Sequence, residues 1–319
     1  MVALPGAFDI FTNVMKFHLP RVVCALACAL ILSAAGAPAR TFAQGISVAV
    51  LDLGETETGR RAADELSAAL AGTAQFHLVN RAQSRAAARG VGYAGSLNLT
   101  LAEARDLGAS IGCDFYFTGV AETLRRTSTL RPDYFESYAS LFLVSTETGR
   151  LILWEHLDAE SAAPGEAEKS LYASLRASAT RYGEMITKSH AAEKNERLLA
   201  ASAGARAGAF EDVPDEGSPA AANFRAPQPY RSLRPVYPAK AARAAAEATV
   251  DALVEVDAAG EVKDIEIMRW AGYDLNEAVK ATVRQLHFRP ATRDGRAVPV
   301  RVLLRYNFRR PADEAKGKG

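Results

Sequence analysis

Few residues in this 319-residue chain stand at spacings that could do chemistry. Gly90-Val-Gly-Tyr-Ala-Gly95 has the G-x-G-x-x-G form of a dinucleotide loop, and Asp114 follows Gly95 by 19 residues, where a ribose-binding carboxylate would stand. Such a loop must leave a strand and open a helix. Here Arg81 to Arg89 before it reads as helix and Ser96-Leu-Asn98 after it as loop, so the glycines are expected to form a flexible turn region. His77 in a strand and His156 at a strand end lack a nucleophile or carboxylate at a recognisable spacing, and both are expected as surface or satisfied histidines. Asp52 closes a strand, where α/β sheets hold ligands, but a lone carboxylate suits a turn or cap better. Cys113 has no second soft ligand nearby and is expected to behave as a small buried hydrophobe. No nucleophile–base pair, metal cluster or carboxylate pair stands out. The sequence therefore implies no enzyme, no metal and no cofactor.

The elements around these residues define a modular chain. Apolar residues make up 49% of it, enough for a core, and the length suits about two domains. A net charge of +1 gives no electrostatic footprint for nucleic acid. Lys16 and Arg21 precede an apolar run from Val22 to Ala35, followed by Ala37-Pro-Ala39 and Thr41-Phe-Ala43. This is the pattern of a secretory signal over residues 1–43, which places the chain in the periplasm. An uncleaved inner-membrane anchor over residues 22–39 is the alternative, although Val22 to Ala35 is short for a span; lipidation at Cys28 is a third reading.

Residues 46–190 read as one α/β domain. Ile46 to Leu53 is an apolar run suited to a strand buried on both faces. Thr58 is placed to cap a helix carrying Ala62, Leu66, Ala69 and Leu70. Further strands are expected at Phe76–Val79, Asp114–Val120, Ser137–Val144 and Leu151–His156, with helices at Arg81–Arg89 and Leu99–Leu107 and a long one from Pro164 to Lys188. Strands alternating with helices, then a hairpin, give an α/β sandwich. Residues 191–227, rich in Ala, Gly, Glu, Ser and Pro, read as a mobile tether, with 191–201 able to prolong the helix. Residues 228–310 form a second, smaller domain, and 311–319 a disordered tail. In that domain Val250, Ala252, Val254 and Val256 alternate on a strand, Asp257-Ala-Ala-Gly260 turns the chain, and Val262–Trp270 returns. Asp274-Leu-Asn-Glu277 reads as a capping box for a helix with Leu275, Ala278, Val279, Thr282, Val283 and Leu286 on one face. The last strand sets Val298, Val300, Val302, Leu304, Tyr306 and Phe308 on one face. Pro299 marks it as an edge strand, and an open edge can receive a partner peptide.

Two resemblances follow from these residues. Val48-Ala-Val-Leu-Asp52, Phe76-His-Leu-Val-Asn-Arg81 and Gly112-Cys-Asp-Phe-Tyr-Phe-Thr-Gly119 make residues 46–190 similar to the periplasmic α/β domain of TolB N-terminal and CsgG-type proteins, a scaffolding domain without catalysis. Tyr237-Pro238, Asp257-Ala-Ala-Gly260, Gly272-Tyr-Asp-Leu275, His287-Phe-Arg-Pro-Ala291, Asp294-Gly295 and the final strand make residues 229–308 resemble the C-terminal domain of TonB-family energy transducers. That resemblance implies an α+β fold, a three-stranded antiparallel sheet with helices. It also implies capture of an outer-membrane transporter's N-terminal box by strand addition. The partner-binding residues it implies are Arg234, Pro235, Tyr237 and Pro238, with Val298, Val300, Arg301, Val302, Leu303, Leu304, Arg305, Tyr306, Asn307 and Phe308. Tyr237 also reads as a packing residue, and the edge could be covered by residues 191–227 or by a second copy in a homodimer. The family's membrane anchor carries a Ser/His face for a proton-driven motor; Val22 to Ala35 has no internal His, and the long Pro-rich spacer is missing. An inner-membrane motor is therefore not among the implied partners. An envelope scaffold that uses the small domain to oligomerise is the alternative function.

Overall fold

A computed structural model of the chain describes residues 45–72, 76–127, 133–203 and 210–310. The readings of residues 1–43 as a signal, of 22–39 as an anchor and of 311–319 as a tail lie outside these residues. Among the described residues no helix is long and apolar enough to cross a membrane.

The first sheet comprises β1 (Ile46–Val50), β2 (Phe76–Leu78), β3 (Phe115–Arg126), β4 (Tyr134–Ser145) and β5 (Leu151–Ser161), in the order β2-β1-β3-β4-β5. β1 runs parallel to β2 and β3, and β3, β4 and β5 are antiparallel. The apolar run at β1 is explained by two cores. Val48 and Val50 face one, with α1 (Glu57–Ala71) and α4 (Pro164–Ala203); Ala49 and Leu51 face the other, with α2 (Arg81–Gly90) and α3 (Leu101–Ile111). The result is a sandwich with helices on both faces of the sheet. The cap of α1 is Thr56, not Thr58: the Thr56 hydroxyl accepts from the Gly59 N–H at 3.0 Å, while Thr58 is the second residue of the helix and donates to Glu168 at 2.9 Å. α3 carries a capping box between Thr100 and Glu103.

The second sheet is built from β9 (Ala248–Val256), β10 (Val262–Arg269) and β14 (Val300–Phe308), antiparallel in the order β10-β9-β14. Helix α6 (Leu275–Val283) covers its inner face, and Leu275, Val279, Thr282, Val283 and Leu286 are buried as the helical spacing implies. The capping box does not form. Asp274 lies in the left-handed region (φ 62°) with no side-chain cap, and it pairs instead with Lys240 at 3.0 Å. The side chain of Asn276 turns back to accept the Ala271 N–H at 2.8 Å. Gly260 is required at its turn: its φ is +87°, and a Cβ there would collide with the Phe288 carbonyl.

The segment expected as a mobile tether is ordered wherever it is described. α4 runs on to Ala203, 40 residues in all. Then β6 (Glu211–Asp212) pairs parallel with the start of β14, β7 (Phe224–Arg225) pairs with β12 (Ala291–Arg293), and β8 (Gln228–Pro229) pairs with β11 (Phe288–Arg289); β12 also pairs with β13 (Arg296–Val298) around Asp294-Gly295. Composition misses this order because backbone hydrogen bonds supply it, as in Glu211 N–H to Pro299 O at 2.9 Å and Tyr230 N–H to His287 O at 2.9 Å. Val213 and Phe224 add apolar contacts to the second core, the one between the second sheet and α6.

The described residues from Gly45 onward make one compact unit, and its joint is specific. Trp270, 1% exposed, leaves the end of β10 and enters the core that α2 and α3 form on the first sheet. Its ring stacks on Phe142 at 5.9 Å, and its indole N–H donates to the Gly149 carbonyl at 2.9 Å. A Cβ on Gly272 would run into the rings of Trp154 and Phe142. Asn98 fills the remaining gap: its amide donates to Thr249 O and Trp270 O at 2.8 and 2.7 Å and accepts from Thr249 N–H at 3.0 Å.

Candidate functional site

The open edge of β14 follows from its pairing. On one side all nine residues, Val300 to Phe308, pair with β9. On the other, β6 reaches only Val300 and Arg301, and no further strand adjoins that edge among the described residues. Residues along a strand turn their N–H and C=O groups alternately to either edge. The Arg301 carbonyl accepts from Val213 N–H at 3.2 Å on the β6 side. Leu303, Arg305 and Asn307 therefore present their backbone groups to the open edge. Pro299, read as the edge marker, gives its carbonyl to β6, so the cover that residues 191–227 supply is real but ends at Arg301.

The side chains divide by face as the alternation implies. Val300 and Phe308 are buried, and Val302, Leu304 and Tyr306 pack partly against the core under α6; Val298, read as the start of this strand, instead ends β13 and pairs with Ala291, because Pro299 breaks the ladder. The outer face is a ladder of charges. Arg301 meets Glu255 at 3.0 Å, and Arg305 grips Asp251 with two bonds of 2.7 and 3.0 Å. The Arg305 hydrogen bond holds the Asp251 carboxyl below the usual carboxylate range, and Arg269 adds to the effect. Asn307 accepts from the Thr249 hydroxyl at 2.8 Å. Leu303 alone on this face of β14 is apolar, and it is 53% exposed.

The segment at residues 234–238 meets the strand at its far end. The Tyr237 ring lies 6.2 Å from Phe308, and its hydroxyl donates to Ala246 O at 2.7 Å. Tyr237 is thus a half-buried anchor, and Pro238 opens the short helix α5 (Ala239–Arg243). Arg234 is exposed and Pro235 half-buried. Val236, between Pro235 and Tyr237, is 81% exposed and was not among the residues singled out in the sequence. Its alternation with inward Tyr237 is the signal that could have found it.

The residues first weighed for chemistry are accounted for locally. Asp52 is neither turn nor cap: Arg81 and Arg85 hold it as an ion pair, Arg85 at 3.0 Å. His156 meets the Ser140 hydroxyl at 2.8 Å, and burial lowers its pKa. The glycines at 90–95 follow α2 and lead into irregular chain, not a helix. Cys113 is buried, and desolvation pushes its thiol up to about 12. Among the described residues no cluster of three or more His, Cys, Asp or Glu could hold a metal ion.

One comparison with known proteins falls on the second sheet. Residues 234–309 match the family model of the Gram-negative bacterial TonB protein C-terminal domain. The resemblance read from Tyr237-Pro238, the Asp257–Gly260 turn and the final strand is thereby borne out, and this part of the chain is a TonB C-terminal domain, a periplasmic type of domain. Curated protein sequences give no match. Among solved structures, the TonB C-terminal domain of Pseudomonas aeruginosa is 18% identical over 34% of this chain and 100% of its own, with a TM-score of 0.25. The hypothetical protein CT253 of Chlamydia trachomatis is 12% identical over 45% of this chain and 98% of its own, with a TM-score of 0.32. The LpoB C-terminal domain of Salmonella enterica is 18% identical over 37% of this chain and 84% of its own, with a TM-score of 0.26.

Proposed function

We propose that this chain is a periplasmic binding protein that captures an extended segment of an outer-membrane transporter, or of another envelope protein, along β14, and so takes part in transport across the envelope. One observation carries this reading. In a domain of the TonB C-terminal type, the last strand is open beyond Arg301 and offers the backbone groups of Leu303, Arg305 and Asn307. An added strand gains affinity from main-chain bonds and specificity from side chains such as Leu303. The first domain serves as a rigid mount, because Trp270 fixes the sheet to it. The role is binding, not catalysis.

Fluorescence anisotropy of a transporter-box peptide with the full chain tests this. Leu303→Pro removes an N–H that faces the open edge and leaves the β9 ladder intact, so it should weaken binding by about tenfold or more. Binding unchanged by Leu303→Pro, in a variant with the wild-type melting profile, contradicts the proposal. Self-association through β14 would favour the scaffold reading instead.

A further inference from the structure

A second pair of strand edges is left open elsewhere in the molecule. Among the described residues β5 ends the first sheet and pairs only with β4. Among the same residues β10 ends the second sheet and pairs with β9, with one further bridge at Arg269. These two edges line the same cleft, of about 490 Å³, whose lining also includes Trp154, Trp270 and, from α6, Glu277 and Lys280. β5 and β10 do not hydrogen-bond to each other through their backbones; they meet through the Arg150–Glu266 pair at 2.8 Å. A strand joining β10 would lie about 4.7–4.9 Å from it, and along the cleft β10 has no such neighbour on this edge among the described residues.

We propose that this cleft receives an extended, basic peptide segment of a partner protein, which pairs with β10 and completes a strand between the two sheets. Two observations choose that occupant. The first is continuity with a joint already made. Leu99 and Thr100 sit on the same edge of β10, with Thr100 bridged to Arg269 and Trp270 N–H donating to Leu99 O at 3.1 Å. That edge is thus competent for pairing, and the native contact stops where the cleft begins. The second is charge. The lining carries four carboxylates, Asp264, Glu266, Asp274 and Glu277, against two cations, Arg150 and Lys280. Arg150 is also held by Glu196 at 3.4 Å, and Asp274 by Lys240 at 3.0 Å, so both charges are partly spent within the chain. Asp264 and Glu277 are exposed and line the cleft. An incoming Lys or Arg can take Glu266 while Arg150 keeps Glu196. The apolar side chains Leu153, Ile265 and Ile267 supply contact for alternate residues of the guest.

The test uses the full chain and labelled peptides of about ten residues, the upper end of ordinary strand length. One alternates Lys with Val, one alternates Glu with Val, and one is the Lys/Val peptide with prolines at alternate positions. The Lys/Val peptide should bind, and the proline version should not, because it cannot donate to a ladder. The exposed pair Asp264→Lys and Glu277→Lys should weaken binding by about tenfold or more, with the fold kept. Leu303→Pro should leave this binding unchanged, which separates this site from the β14 edge: loss of one function leaves the other intact. Equal binding of the Glu/Val or proline peptide overturns the proposal. So do indifference to the Asp264/Glu277 reversal, loss of binding in Leu303→Pro, and a dimer that buries the cleft.

Discussion

The indole N–H of Trp270 donates to the backbone carbonyl of Gly149 at 2.9 Å, across the joint between the two sheets. Trp270 belongs by sequence to the TonB C-terminal domain, but it is buried in the core of the other domain. The chain's two tryptophans, Trp154 and Trp270, both lie at this joint, so intrinsic fluorescence reports directly on it. Trp270→Ala removes a fully buried ring and should cost about 3–5 kcal/mol. Denaturant titration followed by fluorescence and circular dichroism should show coincident transitions in the wild type and separated ones in the variant. Coincident transitions in Trp270→Ala would mean that the domains are coupled by something else.

Much of the small domain was legible because its signals are local. The alternation in β9 and β14, the Asp257–Gly260 turn and the face of α6 each lie within a dozen residues. What could not be read depends on distant partners. Composition gave residues 191–227 as a tether, because the carbonyls of Pro299 and Arg301 that order Glu211 and Val213 lie some ninety residues away. Asp274 has the residue type of a cap, but Tyr273 and Asp274 both lie in the left-handed region, so its side chain does not reach the helix N–H groups. Thr58 has the residue type of a cap, but the chain enters the helix two residues earlier, where the Thr56 hydroxyl meets the Gly59 N–H. At the site, the odd and even faces of β14 were correct from period two alone, whereas the extent of its open edge required knowing where β6 stops.

The Arg305–Asp251 pair makes stability depend on acid in a defined direction. Asp251 has a folded-state pKa below its ordinary value of 3.8, with the hydrogen bond from Arg305 as the leading cause. Its contribution is therefore present in full above about pH 4 and is lost as pH falls through the depressed folded value. Asp251→Asn should cost on the order of 1 kcal/mol at neutral pH, since Arg305 is largely exposed and the pair is screened. Urea midpoints of the two proteins should converge as pH falls from 5 to about 2. A gap that stays constant over that range would show that the carboxylate's charge is not what stabilises.

Cys113 should be silent to thiol reagents in the folded chain. Its Sγ is buried, sits 3.7 Å from the Gly108 carbonyl, and has a pKa pushed up to about 12. The thiolate that reacts is then scarce at pH 8. Peptide mapping after alkylation should find the Cys113 peptide unmodified in native protein and fully modified in denaturant. Rapid labelling without denaturant would show that α3 and β3 separate readily.

The most direct measurement is residue-resolved amide exchange along β14, with and without a transporter-box peptide. In the free chain the amides of Leu303, Arg305 and Asn307 should exchange fast, and those of Val302, Leu304 and Tyr306, bonded to β9, should be protected. On adding the peptide, the fast set should become protected while the slow set stays as it was. Protection of Leu303, Arg305 and Asn307 in the free chain, or their indifference to a peptide that binds, would contradict strand addition at this edge.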